Sequence, residues 1–333
     1  MKIPHDRSEF LTIKNKKYLT VFADLFSYML KQEGDDVTSL NLFADKQISV
    51  KGVVVAGDDG IFAGREELEG FFDVFLSEDQ RKKQGISQLA TEIMCKDMGI
   101  FEQGAIKGEI FFKRSFDLRQ EWLKKDGEQV KKGDVLMNLY GDVKCVLRLE
   151  RNLLNFLSRM SGIATKTSKL VQKMPKGTYL ACTRKTLWGV FDKKAVHLGG
   201  GLTHRLNLTD AILIKENHLS VFGENFADIA KRIDNRAPFW EVEIETEEQF
   251  WNLMYNLPKS IGVIMFDNFE AKKIKELIEK VKEKPQNLFF EASGGINESN
   301  LLEYVNTGVD VVSMGALTNN PHSLDLSMYV EKL

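Results

Sequence analysis

The sequence predicts an α/β protein whose second half is a reduced or irregular α/β barrel. Two observations support this prediction. After residue 147, apolar runs alternate with amphipathic helical stretches, which is typical of parallel strands joined by crossover helices. The alternating region spans roughly 170 residues, which is fewer than the ~250 of a complete eight-fold barrel.

The region before the barrel is interpreted as a separate domain. Short apolar stretches such as ISVKGVVVAGDDGIFAG (48–64) are interrupted by glycine and aspartate turns and therefore predict strands. Residues 124–142 carry two turn signals, at Asp126-Gly127 and Gly133-Asp134, and resemble the hammerhead of lipoyl and biotinyl carriers. The hairpin lacks the modifiable lysine of such carriers, so we interpret it as scaffold.

The predicted barrel opens with a helix and continues as six strands. Apolar residues recur at three- and four-residue steps: Leu149, Leu153, Leu154, Leu157, Met160, Ile163 and Ala164. The predicted strands are TYLACT, AILI, FWEVEI, GVIMF, NLFFEA and VDVVSM, and the predicted helices include EEQFWNLMYNL, NFEAKKIKELIEKVKE and NESNLLEYVNTG. We expect domains at 1–147 and 148–320, a C-terminal tail at 321–333, and a polar insertion near 73–118.

Composition and charge narrow the possible functions. The net charge of -2 and a pI near 6.3 favour neither nucleic acid nor anionic membranes as partners. The three cysteines, Cys95, Cys145 and Cys182, are widely spaced, which fits a reducing compartment and argues against a disulfide framework. No apolar run reaches the length of a membrane span. We expect a soluble cytoplasmic protein.

Polar groups or glycine pairs follow nearly every predicted strand, at the positions where α/β barrels carry their catalytic groups. The cations are Arg184, Lys185, Arg205 and Lys215, with His204 beside them; the carboxylates are Glu243 and Asp267; the glycine positions are Ser293, Gly294, Gly295 and Gly315. Converging arginines and lysines predict a polyanionic ligand. The carboxylates suit Mg²⁺, usually through water, or a developing positive charge. The glycine positions resemble phosphate cradles.

Structural interpretations of the same residues stay open at this point. Arg184 and Arg205 could form structural salt bridges with Glu243 and Asp267. The three glycines at 199–201 fit a helix stop. His204 also fits a neutral histidine of the core.

Seven segments, in order along the chain, resemble the quinolinate phosphoribosyltransferases, which are the carboxylating nicotinate-nucleotide pyrophosphorylases. They are ERNLLNFLSRMSGIAT (150–165), CTRKT (182–186), GGGLTHRLNLTDAILIKENH (199–218), EVEIET (241–246), IMFDNF (264–269), EASGGI (291–296) and MGALTNNPHSLDLS (314–327). Weaker likeness extends to GDDVTS (34–39), GIFAG (60–64) and DGEQVKKGDVL (126–136). No single segment is specific, but the ordered combination is.

The resemblance implies a subunit with an N-terminal α+β open sandwich and an incomplete α/β barrel, assembled at least as a homodimer. It places Thr183, Arg184, His204, Arg205 and Lys215 around quinolinate, and Arg151 in the site of the neighbouring subunit. It assigns phosphoribosyl pyrophosphate and its Mg²⁺ to Lys185, Glu243, Asp267, Ser293, Gly294, Gly295 and Gly315. Catalytic roles are expected for Lys185, Lys215, Glu243 and Asp267.

The chain departs from the family pattern after TRKT. The family usually has T-P-G-x-R there, whereas this chain has Leu187-Trp188-Gly189-Val190-Phe191-Asp192, and Lys215-Glu216-Asn217-His218 replaces Lys-Asp-Asn-His. One wall of the site is therefore expected to differ in shape.

The implied activity is transfer of the phosphoribosyl group to quinolinate, followed by decarboxylation, without an organic cofactor. Two alternatives remain. One is a related phosphoribosyl- or anion-transferring enzyme with a different substrate, against which the retained CTRKT, THR and LIKENH argue. The other is a non-catalytic hammerhead carrier or regulatory protein, which would not require the pair Glu243 and Asp267.

Overall fold

The computed structural model describes residues 3–75, 118–233 and 237–333. Its contacts divide the chain into two compact units. The barrel unit comprises Met1–Ser8 and Lys166–Pro321, and the sandwich unit comprises Glu9–Thr165 and His322–Leu333. Most of the predicted insertion at 73–118 lies outside the described residues, as does Cys95.

Helices and strands are numbered here in chain order over the described residues. The helices are α1 (Lys16–Glu33), α2 (Val37–Leu42), α3 (Arg65–Phe75), α4 (Val143–Val171), α5 (Val190–Leu198), α6 (Glu216–Phe222), α7 (Phe226–Arg232), α8 (Glu247–Tyr255), α9 (Ala271–Lys280) and α10 (Leu301–Val305). The strands are β1 (Ser49–Ala56), β2 (Gly60–Ile61), β3 (Arg119–Trp122), β4 (Gln129–Val130), β5 (Val135–Asp142), β6 (Tyr179–Ala181), β7 (Ile212–Ile214), β8 (Trp240–Ile244), β9 (Ile261–Asp267), β10 (Phe289–Ser293), β11 (Val311–Ser313) and β12 (Leu326–Lys332). Short 3₁₀ turns cover Ser8–Phe10 and Gly315–Leu317.

The sandwich unit is built on an antiparallel sheet in the order β12-β1-β5-β3, and β2 pairs separately with β4. Central strand β1 alternates between buried and partly buried residues, as a strand with one covered face requires. Helix α1 begins at Asn15, whose side chain accepts a hydrogen bond from the amide of Lys17. Its buried face includes Phe22 and Phe26.

The C-terminal residues belong to this sheet. The sequence suggested a tail at 321–333, but β12 pairs with β1 in antiparallel register from Val50↔Lys332 to Ala56↔Leu326. The domain boundary also differs from the expected 147/148. The contact division falls after Thr165, inside the continuous helix α4, and Met1–Ser8 joins the barrel unit. Hydrophobic periodicity predicts neither the pairing of β12 with β1 nor the place of Met1–Ser8 in the barrel unit, because both depend on contacts between residues far apart in sequence.

The barrel unit contains a six-stranded parallel sheet in the order β6-β11-β10-β9-β8-β7. Because crossover helices connect successive strands, this confirms the predicted α/β class. Strand β8 is buried at all five positions, as expected for a central parallel strand. Helix α8 starts at a reciprocal capping box between Thr246 and Gln249. Because the six strands are parallel, their carboxyl ends lie at one edge of the sheet, and the polar groups predicted to follow them come together there.

Among the helices of the described residues, none combines the length and apolar character needed to cross a bilayer.

Candidate active site

A cavity of about 410 Å³ opens at the carboxyl ends of the barrel strands. It is lined by Thr183, Arg184, Lys185, His204, Arg205, Leu213, Lys215, Glu243, Met265, Asp267, Asn268, Glu291, Ser293, Gly294 and Gly295. Eleven residues selected from the sequence are among them: Thr183, Arg184, Lys185, His204, Arg205, Lys215, Glu243, Asp267, Ser293, Gly294 and Gly295. Cations, carboxylates and a glycine turn thus share one cavity.

The segment after β6 carries Thr183, Arg184 and Lys185. The Lys185 amide donates to the Thr183 hydroxyl at 3.1 Å, and the Thr318 hydroxyl donates to the Lys185 carbonyl at 2.8 Å. Within the described part of the chain, neither the Arg184 nor the Lys185 side chain forms an ion pair with a carboxylate. Their charge is therefore available to an anionic ligand.

Arg205 lies deeper in the same wall and is 6% exposed. Its guanidinium donates to the Ala211 carbonyl at 3.2 Å rather than to a carboxylate. Burial, and then the nearby Arg184, lower the pKa of Arg205. The carboxylates of Glu241, Glu243 and Asp210 oppose this lowering. Because the guanidinium of Arg205 is hydrogen-bonded to a carbonyl and not to a carboxylate, it can still pair with a bound anion.

Lys215 follows β7 and is the N-cap residue of α6. Its amide donates to His218 Nδ1 at 3.0 Å, so the histidine of the KENH segment caps the helix that follows the lysine. The Lys215 ammonium donates to Glu243 Oε2 at 2.7 Å. The structural salt bridge that the sequence left open is thus formed by Lys215, whereas Arg184 and Arg205 make none with Glu243 or Asp267 among the described contacts.

Glu243 and Asp267 end the neighbouring strands β8 and β9. Burial raises the pKa of Glu243; Lys215 opposes this, and the negative charge of Asp267 adds to it. Asp267 Oδ2 accepts a hydrogen bond from the side-chain amide of Asn268 at 2.7 Å. Two carboxylates that repel each other in one cavity fit a hard cation, because oxygen ligands suit Mg²⁺ and its charge would relieve the repulsion.

The Ser293–Gly295 turn follows β10. Gly294 has φ of 88° and Gly295 has φ of 64°, a backbone region that favours glycine. A Cβ at Gly294 would overlap the side-chain amide of Asn268, so this position also needs the missing side chain. The backbone amide of Asn268 donates to the Ser293 carbonyl at 2.9 Å. The turn leaves exposed backbone beside the cavity, as a phosphate cradle requires.

Two selected residues lie elsewhere. Gly315 is not part of the cavity lining, but a Cβ there would lie 3.3 Å from Lys185 Cδ, so it packs behind that lysine. Arg151 is an exposed residue of α4 in the sandwich unit, and it does not line the cavity among the described residues. Its predicted role in a neighbouring subunit's site stays a prediction.

Comparisons with known proteins identify the family. Residues 163–329 match the C-terminal domain of quinolinate phosphoribosyl transferase, and residues 87–161 match its N-terminal domain. A probable nicotinate-nucleotide pyrophosphorylase (carboxylating) of Methanocaldococcus jannaschii is 38% identical over 264 residues, covering 73% of this chain and 92% of that protein. This chain belongs to the quinolinate phosphoribosyltransferase family.

Further relatives of the family are similar in sequence and in fold. A Bacillus subtilis protein with the same description is 38% identical over 252 residues, covering 74% of this chain and 85% of that protein. The solved structure of the nicotinate-nucleotide pyrophosphorylase from Francisella tularensis has a TM-score of 0.71 at 25% identity. It covers 94% of this chain and 97% of that chain. The fold therefore agrees with that of the family.

Lys193 is a site residue that the sequence analysis missed. It lies in α5, is 1% exposed, and donates to the carbonyls of Thr203 at 2.7 Å and Thr183 at 3.1 Å. Burial lowers the pKa of Lys193. Its ammonium links the residue before Arg184 to the residue before His204, and so it connects two cationic segments that line the cavity. A lysine in an amphipathic helix gave no signal of burial.

A second group missed by the sequence analysis lies behind His204. Glu241 and Glu291 are fully buried, and each has a carboxylate oxygen 3.4 Å from His204 Nε2. The alternation in EVEIE places Glu241 and Glu243 on the same face of β8, which is a usable signal. His5 completes the group from the N-terminal segment, and no local pattern could have predicted that contact.

Proposed function

We infer that this chain transfers the phosphoribosyl group of phosphoribosyl pyrophosphate to quinolinate and releases carbon dioxide and pyrophosphate. The product is nicotinate mononucleotide, which serves NAD biosynthesis. The observation that carries the inference is the single cavity in which Arg184, Arg205 and Lys215 meet Glu243 and Asp267. Relatives described as carboxylating nicotinate-nucleotide pyrophosphorylases support it.

The cationic wall suits quinolinate, which carries two carboxylates beside a ring nitrogen. Burying such a dianion is costly unless each charge is paired and hydrogen-bonded. Arg184 lacks a carboxylate partner among the described residues, and Arg205 binds only a carbonyl there. We propose that the two carboxylates of quinolinate bind these guanidinium groups and Lys215, and that Thr183 and His204 border the ring.

The acidic pair suits the transfer step. The quinolinate nitrogen attacks the ribose C1, the bond from C1 to the pyrophosphate oxygen breaks, and positive charge develops on the ribose. Glu243 and Asp267 would stabilise that charge electrostatically. They would also hold Mg²⁺, which supplies charge neutralisation to the pyrophosphate when it is bound. Lys185, the Ser293–Gly295 turn and Gly315 would serve the phosphates.

Decarboxylation follows transfer. Alkylation turns the ring nitrogen into a positively charged pyridinium. The bond from ring C2 to its carboxylate then breaks, carbon dioxide leaves, and the remaining electron pair is stabilised by the adjacent positive nitrogen before it is protonated. This order needs neither a covalent enzyme intermediate nor an organic cofactor.

The direct test is turnover of quinolinate with phosphoribosyl pyrophosphate and Mg²⁺. Nicotinate, which has one carboxylate fewer, should be a poor substrate because it leaves a buried cation unpaired, at a cost of roughly 2–5 kcal/mol. Nicotinamide provides a neutral comparison. Turnover of nicotinate equal to that of quinolinate would contradict the proposal that the cations bind both carboxylates of the substrate.

We further propose that the active form is a homodimer in which Arg151 reaches the cavity of the other subunit. Arg151→Ala and Lys215→Ala homodimers should each be nearly inactive. Reassociated mixtures should recover about a quarter of wild-type activity, because about half of randomly paired dimers are mixed and each then holds one intact site. Each variant unfolded and refolded alone is the control. No recovery after demonstrated subunit exchange would place Arg151 outside the shared site. The cytoplasmic location also stays a prediction.

A further inference from the structure

The N-terminal segment, residues 3–8, is built into the barrel unit. The Arg7 guanidinium pairs with Asp210 at 3.0 Å. The Arg7 amide donates to the Thr203 hydroxyl at 2.9 Å, and that hydroxyl donates to the His5 carbonyl at 3.1 Å. Ile3 packs against a buried apolar cluster of Ala211, Phe239, Val263 and Phe289. Contacts on both sides of His5 therefore fix its backbone beside the residue that precedes His204.

The His5 ring reaches the group behind the cavity and is fully buried. Its Nε2 lies 2.5 Å from Glu291 Oε2, and its ring meets that of His204 edge to face with centroids 4.9 Å apart. Glu291 and His204 themselves line the cavity. His5 thus contacts two side chains that line the cavity.

The four side chains His5, His204, Glu241 and Glu291 offer ligand atoms within 4.8 Å of one another, an arrangement that would also suit a transition metal. The tautomer of His204 argues against that interpretation. The Arg205 amide donates to His204 Nδ1 at 2.7 Å, so the single ring proton lies on Nε2, which faces the carboxylates. A protonated Nε2 cannot bind a metal.

We propose that His5 is a positioning residue for His204, holding the ring against the substrate cavity through Glu291 and through direct edge-to-face contact. The proposal rests on the proposed function. His204 needs such support because its backbone has φ of 52°, in the left-handed region that non-glycine residues seldom adopt. With His5 present, the ring is held by the Arg205 amide, by two carboxylates and by a second ring.

The test compares His5→Phe, which retains a ring but removes both nitrogens, with Ile3→Ala, which weakens the packing of the same segment. The KM for quinolinate should rise on the order of 10- to 100-fold in His5→Phe, because small displacements of positioning groups are costly. The KM for phosphoribosyl pyrophosphate should stay near that of wild type, and thermal unfolding measures how much stability is lost when Glu291 loses its partner. Ile3→Ala keeps the His5 ring and its contacts, so it should change the KM for quinolinate far less than His5→Phe does.

A double-mutant cycle separates positioning from general stability. In a His204→Ala background, His5→Phe should raise the KM for quinolinate no further, because the residue through which it acts is gone. An unchanged KM in His5→Phe, an equal rise for both substrates, or additive effects in the double variant would each overturn the proposal. Stoichiometric transition metal retained by the purified protein would also overturn it. Wild-type protein that does not turn over quinolinate would instead overturn the proposed function, and this proposal with it.

Discussion

Both units bury aromatic rings, but most of the buried ionisable side chains among the described residues lie in the barrel unit. In the sandwich unit, Phe26 and Phe71 lie 4.5 Å apart between ring centroids, and Phe22 and Phe156 lie 5.2 Å apart. In the barrel unit, the buried ionisable residues include His5, Lys193, His204, Arg205, Glu241, Glu243 and Glu291. Rings gain stability from burial alone, but charges do not, and they require partners.

The partners of the buried cations are informative. Lys193 and Arg205 bind backbone carbonyls, which solvate a cation without neutralising it. The buried Glu67 of the sandwich unit shows the contrasting arrangement, because it accepts a short hydrogen bond from the hydroxyl of Tyr18, which is buried with it. The comparison indicates that the barrel unit keeps positive charge for a ligand, while the sandwich unit is organised for stability.

The largest expected effect lies in the sandwich unit. Phe26→Ala should lower the free energy of unfolding by about 3–5 kcal/mol, the usual loss for a buried phenylalanine. The kcat of the protein that remains folded should stay unchanged, because no cavity residue is altered. Urea denaturation and kinetics at low temperature measure the two quantities. Tyr28→Ala is the matched control on α1, since Tyr28 is 60% exposed. A large loss of kcat with stability intact would break the comparison.

Arg205→Ala should show the opposite pattern. Quinolinate affinity should fall by about 2–5 kcal/mol, or about 30- to 4,000-fold, because the ligand carboxylate loses its partner. The Tm should fall less than in Phe26→Ala, since relief of the repulsion with Arg184 offsets part of the lost hydrogen bond to Ala211. Calorimetric titration and thermal unfolding report these values, and Arg232→Ala, at a cation outside the cavity lining, is the control. Unchanged affinity in both Arg205→Ala and Lys215→Ala would show that the cationic cluster is structural.

Asp267→Asn should separate the acidic set from the basic set. The substitution keeps an oxygen beside the side-chain amide of Asn268 but removes the negative charge. The kcat should fall about 10²- to 10³-fold, as for other single electrostatic groups, and the Mg²⁺ dependence should shift. Quinolinate affinity measured without phosphoribosyl pyrophosphate should change little. Asp228→Asn, at an exposed carboxylate of α7, is the control. Equal losses of quinolinate affinity and kcat would contradict this division of roles.

The same contrast explains how much the sequence could predict. Alternating apolar runs predicted all six barrel strands, because burial imposes a local period on strands and helices. Strand ends predicted the cavity residues Arg184, Lys215 and Asp267, since parallel strands bring their carboxyl ends together. The role of His5 and the pairing of β12 with β1 had no local signal, because both depend on contacts between residues hundreds of positions apart.

Buried charge was the main feature that the sequence did not reveal. Lys193 lies in a stretch, DKKAVH, whose charges resemble a solvated helix face, yet its ammonium is enclosed by carbonyls. Glu291 precedes the predicted glycine turn and lies inside the predicted strand NLFFEA, so its position does not mark it as a site residue. Hydrophobic periodicity treats every charge as exposed, so it fails where a functional site is built from buried ones.

The smallest expected effect tests whether buried charge in the sandwich unit is merely costly. Burial, and then Glu69, raise the pKa of Asp73 in α3 to about 6. Folding thus favours the protonated form, and stability from this group falls as pH rises from about 4 to 6. Asp73→Asn should therefore raise the free energy of unfolding at pH 8 by about 1 kcal/mol, allowing for solvent screening of a partly exposed group. The gain should shrink through pH 6 and vanish below pH 4.

Urea midpoints across this pH range measure the gain in the free energy of unfolding, with Asp24→Asn on the exposed face of α1 as the control. A gain independent of pH would show that the effect is packing rather than charge, and a loss of kcat in Asp73→Asn would mean that the sandwich unit, too, keeps charge for function.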